Sequence, residues 1–277
     1  MRLLVTGARG MLGCDLVPLL ASRHKVTGVD IQEFDIIKRS AISEIQQRKP
    51  ERVIHLAAYT DVDGCESQSE KAYSVNALGT RYVAMACQRL DVPMLYLSTD
   101  YVFDGTKGTP YYEWDAPNPR SAYGKSKWAG EQEVQRHLTN FFIMRTSWLV
   151  GKRGRNFVDT ILKLAQERET LEVVNDQRGS PTFTADLAHA IAWLIEQDAF
   201  GVYHVTNSGD CTWFDFACEI VRQAGLKKEV RPTDTRTFRR PAERPSYSTL
   251  ANFSYQRIGS PPLPSWQEAL RTYLRKS

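Results

Sequence analysis

Several patterns that mark secreted, membrane or metal-bound proteins are missing from this sequence. The chain has only five cysteines, and no two of them stand in a CxxC spacing. No apolar run approaches the roughly 18 residues that a membrane span needs, and the first residues follow a strand pattern rather than that of a secretory signal. We therefore expect reduced thiols, no disulfide framework, no zinc site, no membrane association and a cytoplasmic location.

A strong excess of one charge is also missing. The net charge is +4, and the basic residues come in short groups, such as Lys152, Arg153 and Arg155 or Arg239 and Arg240. Such a pattern argues against nucleic acid as a partner. The 277 residues have an ordinary hydrophobic fraction of 42%, which predicts a globular protein of one large or two modest domains.

The first half of the chain alternates short apolar runs with longer amphipathic stretches. Short apolar strands separated by helices indicate a parallel sheet covered on both faces, and right-handed crossovers make it a doubly wound, Rossmann-type α/β fold. The predicted strands are Arg2–Thr6, Lys25–Asp30, Arg52–Ala57, Pro93–Ser98 and Phe141–Thr146, and the predicted helices are Met11–Ser22, Lys38–Arg48, Ser69–Leu90 and Ala122–Leu138.

A glycine-rich turn joins the first predicted strand to the first helix. Gly7, Gly10 and Gly13 follow a GxxGxxG spacing, with Met11 and Leu12 inside it. Glycines allow a tight turn and a close approach of the backbone to a pyrophosphate, while the helix N-terminus offers N–H groups and a positive dipole. An ordinary strand-to-helix turn is the alternative, but this position in an α/β pattern predicts dinucleotide binding by all five residues.

Two signals conflict over which dinucleotide is bound. Asp30 ends the second strand, where an acid binds the ribose diol of adenosine, and this favours NADH. Arg9 lies inside the glycine-rich turn and suits a 2′-phosphate, which favours NADPH; a solvated loop charge is the alternative. Asp35 and Ile36 are placed to border the adenine, although Asp35 suits a helix cap equally well. The predicted cofactor is therefore NADPH or NADH.

After about residue 150 the alternation loosens. Residues 1–150 are therefore predicted to form a dinucleotide-binding domain, and residues 151–277 mainly a smaller α/β substrate-binding lobe, with some exchange of chain between them. The predicted elements here are helices at 156–169, 185–197, 212–224 and 265–274, strands at 171–174 and 202–205, and an irregular segment over 232–264.

A candidate catalytic group combines a strand end with a helix face. An apolar strand ends in Ser98 and Thr99, and Tyr123 and Lys127 stand one turn apart on the predicted helix that follows. These groups suit carbonyl reduction, in which nicotinamide supplies hydride and Tyr123 a proton. Lys127 would lower the tyrosine pKa and hold the nicotinamide ribose, and Thr99 would orient the carbonyl. A strand-end cap and a helix aromatic are the alternative interpretations.

These motifs, with others along nearly the whole chain, resemble the extended short-chain dehydrogenase/reductase superfamily, and within it the dTDP-4-dehydrorhamnose reductase family. RTSWLVG and NDQRGSPT are the stretches most specific to that family. The matching stretches are HLAAYTDVDGCES (55–67), STDYVFDGT (98–106), YGKSKWAGE (123–131), RTSWLVG (145–151), NDQRGSPT (175–182), RPSYSTL (244–250) and LPSW (263–266).

The resemblance assigns roles to residues that composition and spacing do not reach. It makes Thr99, Tyr123 and Lys127 the catalytic trio. The other implied positions are Ala57, Ala58 and Tyr59 beside the nicotinamide, Asn76 as a brace of the catalytic loop, Ser98, Val102 and Trp148 at the sugar, and Asn175, Gln177 and Arg244 near the diphosphate or sugar. The alternatives are an ordinary buried polar residue for Asn76 and a loop-bracing role for the last three. The aromatic face of Trp148 also suits the apolar side of a sugar ring, with plain core packing as the alternative.

A metal-linked dimer is not expected, although some family members form one through magnesium and acidic side chains. The first predicted helix carries Asp15, but Arg275, Lys276 and Ser277 bring no acidic side chain to the other end of the chain. We predict no metal site, and either a monomer or a homodimer.

The implied reaction is NAD(P)H-dependent reduction of the 4-keto group of dTDP-4-dehydro-L-rhamnose, or of another nucleotide 4-keto-sugar. A dehydratase is disfavoured because Tyr101 follows Thr99-Asp100 where that reaction needs a second acid. An epimerising reductase is disfavoured because no cysteine lies between residues 88 and 210. A non-catalytic protein like the regulatory β-subunit of methionine adenosyltransferase, which resembles this family, is a further alternative; the intact trio argues for an enzyme.

Overall fold

Residues 1–276 are described by a computed structural model, which shows an alternating series of strands and helices. The strands are β1 (Arg2–Thr6), β2 (Lys25–Val29), β3 (Arg52–His55), β4 (Met94–Thr99), β5 (Phe141–Thr146), β6 (Leu149–Val150), β7 (Thr170–Val174), β8 (Arg178–Gly179), β9 (Thr182–Phe183), β10 (Gly201–His204), β11 (Cys211–Thr212) and β12 (Glu229–Thr233). The helices are α1 (Met11–Ala21), α2 (Ala41–Arg48), α3 (Val62–Ser67), α4 (Ser69–Tyr73), α5 (Thr80–Leu90), α6 (Ala122–His137), α7 (Phe157–Glu167), α8 (Thr184–Leu194), α9 (Trp213–Gln223), α10 (Phe253–Arg257) and α11 (Trp266–Lys276).

The main sheet has six parallel strands in the order β2-β1-β3-β4-β5-β10. In this register Leu4 of β1 pairs with Thr27 on one side and with Val53 on the other. The chain therefore winds outward in opposite directions from β1 and β3, and ligands of such sheets bind beyond the carboxyl ends of the strands at this reversal. This topology confirms the predicted doubly wound α/β fold.

Helices cover both faces of the sheet because the apolar side chains of its strands point alternately to the two sides. Leu3 and Val5 pack into a cluster with residues of α1 and α8, while Leu4 packs with residues of α2 and α5 on the opposite face. All three side chains are buried. The sheet thus holds the ends of its strands rigidly, which is what a site at those ends needs.

A second, smaller core lies among the short strands and later helices. Val158 of α7, Phe216 of α9 and Leu270 of α11 are buried together there, beside the paired strands β6–β9, β7–β12 and β8–β11. Between these segments, α8 and β10 return to the main sheet, where β10 pairs with β5. Residues after 150 therefore contribute to both the main sheet and the second core, and the division into domains at residue 150 stays a prediction.

The structure differs from the sequence expectations in several segments, and strands β6, β8, β9, β11 and β12 were not predicted. The predicted helix 69–90 is interrupted by a π-helical turn, Ser74–Gly79, and α3, which was not predicted, precedes it with an Asp61 cap. The helix predicted from Lys38 begins at Ala41, after a turn in which the Ala41 N–H donates to the Lys38 carbonyl. The segment 232–264, predicted as irregular, holds the end of β12 and all of α10. Across residues 1–276, no helix combines the length and apolar character needed to span a bilayer.

Candidate active site

The turn after β1 has a backbone that requires glycine. Gly7 has φ +69°, and a Cβ there would lie 2.7 Å from the Ala57 nitrogen. A Cβ on Gly13 would lie 2.5 Å from the Gly7 carbonyl oxygen. Helix α1 then starts without a side-chain cap at Gly10 and without an acid in its first turn, so its first N–H groups remain available to an anion.

A cleft of about 620 Å³ opens above this turn, beyond the carboxyl ends of the strands. This volume lies in the range of small-molecule sites. The structure brings most of the predicted site residues together in its lining: Gly7, Gly10, Met11, Leu12, Gly13, Asp30, Asp35, Ile36, Ala57, Ala58, Ser98, Thr99, Tyr123, Lys127 and Trp148.

The end of the cleft beside β2 carries the charges predicted to choose the dinucleotide. Asp30 accepts hydrogen bonds from the backbone N–H groups of Arg9 (3.1 Å) and Ile31 (3.0 Å). The Arg9 guanidinium turns away from the lining, because it forms an ion pair with Glu33 and donates to Gln32. This pairing lowers the pKa of Glu33 to about 2. Both signals read from the sequence are therefore present, with Arg9 held by an acid that the sequence analysis did not single out.

Thr99 and Tyr123 face each other at the opposite end, where β4 and α6 meet. The Thr99 hydroxyl accepts from the Tyr101 N–H and donates to Asp100, and it lowers the pKa of Tyr123. Burial has the larger effect and raises the pKa of Tyr123 above its usual range. The phenol therefore keeps its proton, as a proton donor to a developing alkoxide must.

Lys127 lines the cleft one turn after Tyr123, with its ammonium over another aromatic ring. Its ammonium is 4.1 Å from the centre of the Tyr96 ring, and the side chain is buried. Burial lowers the pKa of Lys127 to about 7, with Glu131 opposing this shift. Burial dominates at the Tyr123 phenol, and the ammonium contacts Tyr96; the expectation that Lys127 lowers the Tyr123 pKa stays a prediction.

The π-helical turn braces the loop after β3. The Asn76 amide nitrogen donates to the Tyr59 carbonyl (3.0 Å) and to Ser126 of α6 (2.9 Å), while its amide oxygen accepts from the Tyr59 N–H (2.8 Å). The Asn76 carbonyl accepts from the hydroxyls of Thr80 and Tyr96. One buried asparagine thus ties the loop after β3 to the helix that carries Tyr123 and Lys127, in agreement with its predicted bracing role.

A buried ion pair lies under the catalytic face of α6. Arg145 of β5 donates to both carboxylate oxygens of Glu131 at 2.9 and 2.7 Å, and Ser98 of β4 donates to the same carboxylate at 2.5 Å. Glu131 stands one turn after Lys127, so its charge faces the ammonium from within the protein. Ser98, a predicted substrate contact, lines the cleft, but its hydroxyl hydrogen is donated to Glu131.

Trp148 lines the cleft with one ring face already covered. Its ring stacks on that of Trp213, with centroids 3.5 Å apart and planes at 6°, and Phe157 packs behind Trp213 at 4.5 Å. Trp148 has φ +46°, and a Cβ on Gly179 would lie 2.7 Å from its ring. The predicted sugar-binding aromatic is therefore one member of a rigid stack, and Trp213 reaches the cleft beside it.

The remaining predicted residues lie outside the cleft lining. Val102 is buried with Phe103, Tyr111 and Leu250, because the 3₁₀ turn after β4 carries it to the side. The Tyr59 ring lies under the Lys71 ammonium, and the guanidinium groups of Arg9 and Arg244 pair with Glu33 and Asp63. Asn175 accepts a hydrogen bond from Thr212 beside a second depression, and Gln177 donates one to Thr235. Their functional roles stay predictions.

Several cleft residues were missed by the sequence analysis. Leu56, Thr60 and Val62 follow β3, and Trp213 and Arg155 come from the later lobe. Arg155 sits in the loop 151–156, whose ends are joined by a hydrogen bond from Asn156 to the Gly151 carbonyl (2.9 Å). The position of the first three residues just after a strand end was a usable signal for them. No local pattern distinguishes Arg155 from its basic neighbours.

Comparisons with known proteins agree with this geometry. The profile of a family described as RmlD substrate binding domain matches residues 1–277. A dTDP-4-dehydrorhamnose reductase of Streptomyces griseus is 42% identical over 278 residues, covering 97% of this chain and 91% of that protein. The crystal structure of a dTDP-4-dehydrorhamnose reductase from Bacillus anthracis strain Ames, in complex with NADP, has 42% identity and a TM-score of 0.97, covering 100% of this chain and 99% of that one.

The chain belongs to the dTDP-4-dehydrorhamnose reductase family. Its class as an oxidoreductase on a Rossmann-type sheet is thereby confirmed. A further relative, a dTDP-4-keto-6-deoxy-D-glucose reductase of Streptomyces niveus, is 39% identical over 273 residues, covering 97% of this chain and 95% of that protein.

The acidic residue considered for a metal-linked dimer is used within the chain. Asp15 of α1 accepts a hydrogen bond from Thr184 of α8 at 2.5 Å. Within residues 1–276, no three His, Cys, Asp or Glu side chains are grouped as metal ligands. Of the terminal residues considered with Asp15, Ser277 lies outside the described part of the chain. The expected oligomeric state, monomer or homodimer, stays a prediction.

Proposed function

We propose that this protein reduces the 4-keto group of a dTDP-linked 4-keto-6-deoxy sugar, with dTDP-4-dehydro-L-rhamnose as the first candidate and NADPH or NADH as reductant. The observation that carries this proposal is the convergence of Thr99, Tyr123 and Lys127 on one cleft, which also contains the glycine-rich turn. The turn suits a dinucleotide, and the three side chains suit a carbonyl.

The cofactor, when bound, supplies a hydride to the carbonyl carbon. Gly7 and the first turn of α1 would hold its pyrophosphate, and Asp30 its adenosine ribose. Ala57 and Ala58, which line the cleft between these groups and Thr99, leave room for a flat ring because they have small side chains. No other residue that lines this end of the cleft is assigned a chemical role.

Tyr123 gives a proton to the carbonyl oxygen as negative charge develops there. Burial keeps the phenol protonated until that charge appears. Thr99 orients the same oxygen by a hydrogen bond. In its protonated form Lys127, which is buried in the lining, places a positive charge near the developing anion, in surroundings where charge is weakly screened. The carbonyl carbon gains a C–H bond from the supplied hydride, its oxygen gains an O–H bond as the Tyr123 O–H bond breaks to leave a phenolate, and the carbonyl π bond is lost.

The later lobe would bind the rest of the nucleotide sugar. Trp148 and Trp213 stand together at its side of the cleft, and an aromatic stack suits a sugar or a pyrimidine ring. Asn175, Gln177 and Arg244, which lie away from the cleft lining, remain candidates for the nucleotide on the basis of family resemblance. The assignment of residues 151–277 mainly to substrate binding is part of this proposal.

Turnover by the purified protein tests the proposal. Protein, dTDP-4-dehydro-L-rhamnose and either NADPH or NADH are mixed, and loss of nicotinamide absorbance is followed. Steady oxidation of at least one cofactor that depends on the sugar supports the function. Tight cofactor binding without oxidation would instead favour a non-catalytic regulatory protein.

A second candidate substrate follows from the relative that is named as a dTDP-4-keto-6-deoxy-D-glucose reductase. That sugar has the same reacting ketone with different stereochemistry around it. Comparing kcat/KM for the two sugars decides between them, because kcat/KM measures how well each transition state is bound. The preferred sugar is the one with the higher value under the same cofactor.

A further inference from the structure

Asp100 is a buried acid in the cleft whose purpose the reduction mechanism leaves open. It follows Thr99 at the end of β4, is 1% exposed and lines the cleft. One carboxylate oxygen, Oδ1, lies 3.0 Å from the Thr99 hydroxyl. The other, Oδ2, accepts no hydrogen bond of ordinary geometry among the described residues, although the Ser248 hydroxyl lies close enough to the carboxyl group to lower its pKa. An acid buried with half of its hydrogen-bonding capacity unused requires an explanation.

The number of hydrogens available at Thr99 provides an explanation. The Thr99 hydroxyl has a single hydrogen, and its oxygen already accepts from the Tyr101 N–H at 3.2 Å. An ionised Asp100 can only accept, so the hydrogen between the two side chains must then come from Thr99. In that state Thr99 has no hydrogen left for a carbonyl oxygen. A neutral Asp100 can donate instead, and the Thr99 hydrogen becomes free for the cleft, where the Tyr123 oxygen and a carbonyl oxygen are the available acceptors.

We propose that Asp100 is a positioning residue that works in its neutral form: it donates a hydrogen bond to Thr99 and so turns the Thr99 hydroxyl hydrogen toward the carbonyl oxygen of the substrate. The inference rests on the proposed function, because it concerns how Thr99 meets the ketone. It also assigns the orphaned carboxyl group a purpose, since a neutral carboxylic acid needs fewer partners than a carboxylate when buried.

The surroundings of Asp100 extend its neutral form to higher pH than usual, so that this form predominates below about pH 6. Burial raises the pKa of Asp100 to about 6, and the hydroxyls of Ser248 and Thr99 only partly oppose this. The phenols of Tyr101 and Tyr123, whose rings pack edge to face, lie near the acid and are themselves neutral, because burial raises their pKa values and Asp100 adds to this.

The charged groups around this pocket are already engaged with other partners. The Arg244 guanidinium, which acts on Tyr101, is held by Asp63 through two hydrogen bonds. The Lys127 ammonium, further along α6, lies over Tyr96 and is opposed by Glu131. Neither cation has Asp100 as its counter-charge, so neither forces the acid to ionise.

The test compares the pH dependence of Asp100→Asn with that of the wild type. The asparagine amide can donate to Thr99 at every pH, whereas Asp100 stops donating once it ionises. With saturating sugar and cofactor, the ratio of kcat for Asp100→Asn to kcat for the wild type should rise about tenfold between pH 5.5 and 8, since one oriented donor is worth at least that much in rate. Ionisation of Lys127 affects both proteins and cancels in the ratio.

The Thr99→Val background shows whether the effect passes through the hydroxyl. There, Asp100→Asn should give a ratio that does not change with pH. A ratio that still rises would mean that Asp100 acts directly on Tyr123, and it would overturn the inference. A flat ratio in the Thr99-containing protein would overturn it as well. Asp100→Ala, which removes the competing acceptor, should reproduce the rise and serves if the asparagine variant folds poorly.

A second readout does not depend on turnover. In protein labelled with ¹³C at aspartate carboxyl carbons, the signal missing from Asp100→Asn identifies Asp100. The inference requires this signal to titrate well above the usual aspartate value of about 3.9; titration at the usual value contradicts it. Failure of the proposed function would appear differently, as absence of sugar-dependent cofactor oxidation by the wild type.

Discussion

The two ends of the cleft use charge in opposite ways. At the catalytic end, the side chains of Glu131 and Arg145 are 2% and 4% exposed, and they form a two-bonded ion pair that also receives Ser98. At the adenosine end, the paired side chains of Arg9 and Glu33 are 54% and 32% exposed. One pair is part of the core, and the other is open to solvent.

This difference predicts how each end responds to change. A buried charge cannot be left without its partner, because the cost of keeping it out of water then has no compensation. An exposed pair contributes little, and each partner can turn to another ligand or to water. Substitutions at the catalytic end should therefore lower the reaction rate or the stability of the protein. Substitutions at the adenosine end should change the preference between NADPH and NADH.

The largest effect is expected at the proton donor. Tyr123→Phe keeps the ring and its packing against Tyr101 but removes the proton, so kcat should fall by about 10²–10⁴-fold. The dissociation constant for the cofactor should stay nearly unchanged, because the phenol acts mainly in the transition state. Stopped-flow turnover and fluorescence titration measure the two quantities. Near-full activity would place the proton donor elsewhere.

The next effect concerns stability of the buried pair. Glu131→Gln keeps the side-chain shape but leaves the Arg145 charge unpaired in the core, so the free energy of unfolding should fall by about 3–5 kcal/mol. Denaturant unfolding at neutral pH measures this. As the matched control, Glu44→Gln breaks the partly exposed pair with Arg48 on α2 and should cost about 0.5 kcal/mol or less. Equal losses in the two variants would remove the contrast between core and surface.

A smaller effect is expected from Arg155, the one exposed cation in the described cleft lining. The loop that carries it packs on the start of α1, with Gly154 placed so that a Cβ would be 3.5 Å from Met11. A guanidinium there suits a diphosphate, so Arg155→Ala should weaken its binding about tenfold. Titrations with NADPH and with dTDP distinguish the cofactor diphosphate from that of the sugar nucleotide. Arg153→Ala, in the same loop but outside the lining, should bind both normally.

The smallest effect is a change of cofactor preference. Glu33→Gln removes the carboxylate that holds Arg9, so the guanidinium becomes free to meet a 2′-phosphate and the preference for NADPH over NADH should rise a few-fold. The ratio of kcat/KM for the two cofactors measures it. In Arg9→Ala the same substitution should have no effect on the ratio; an equal rise there would show that Glu33 simply repels the phosphate.

Local patterns predict the parts of this site that lie within a single strand, turn or helix. The glycine spacing after β1, the Tyr123–Lys127 pair on one helix face and the hydroxyl at the end of β4 all appear in the cleft lining as expected. Each depends on contacts within a few residues or on the general rule for strand ends. The sheet itself follows from the alternation of apolar runs with amphipathic helices.

Contacts between distant segments could not be predicted in the same way. The register of β4 and β5 places Ser98 beside Arg145, and only then does Glu131 acquire two partners. The one-turn spacing from Lys127 to Glu131 was a usable signal, but it does not reveal the arginine. The stack of Trp148 on Trp213 depends on how β8 and β11 pair, which no single segment encodes.

The most direct test that this cleft transfers hydride to a sugar ketone uses cofactor carrying deuterium at the reactive position of the nicotinamide. The protein is given this cofactor and dTDP-4-dehydro-L-rhamnose, and the product is examined by NMR and mass spectrometry. We predict one deuterium at C4 of the sugar and a hydroxyl in place of the ketone. A product with deuterium at another carbon, or unreacted sugar in the presence of bound cofactor, would contradict the proposed reduction.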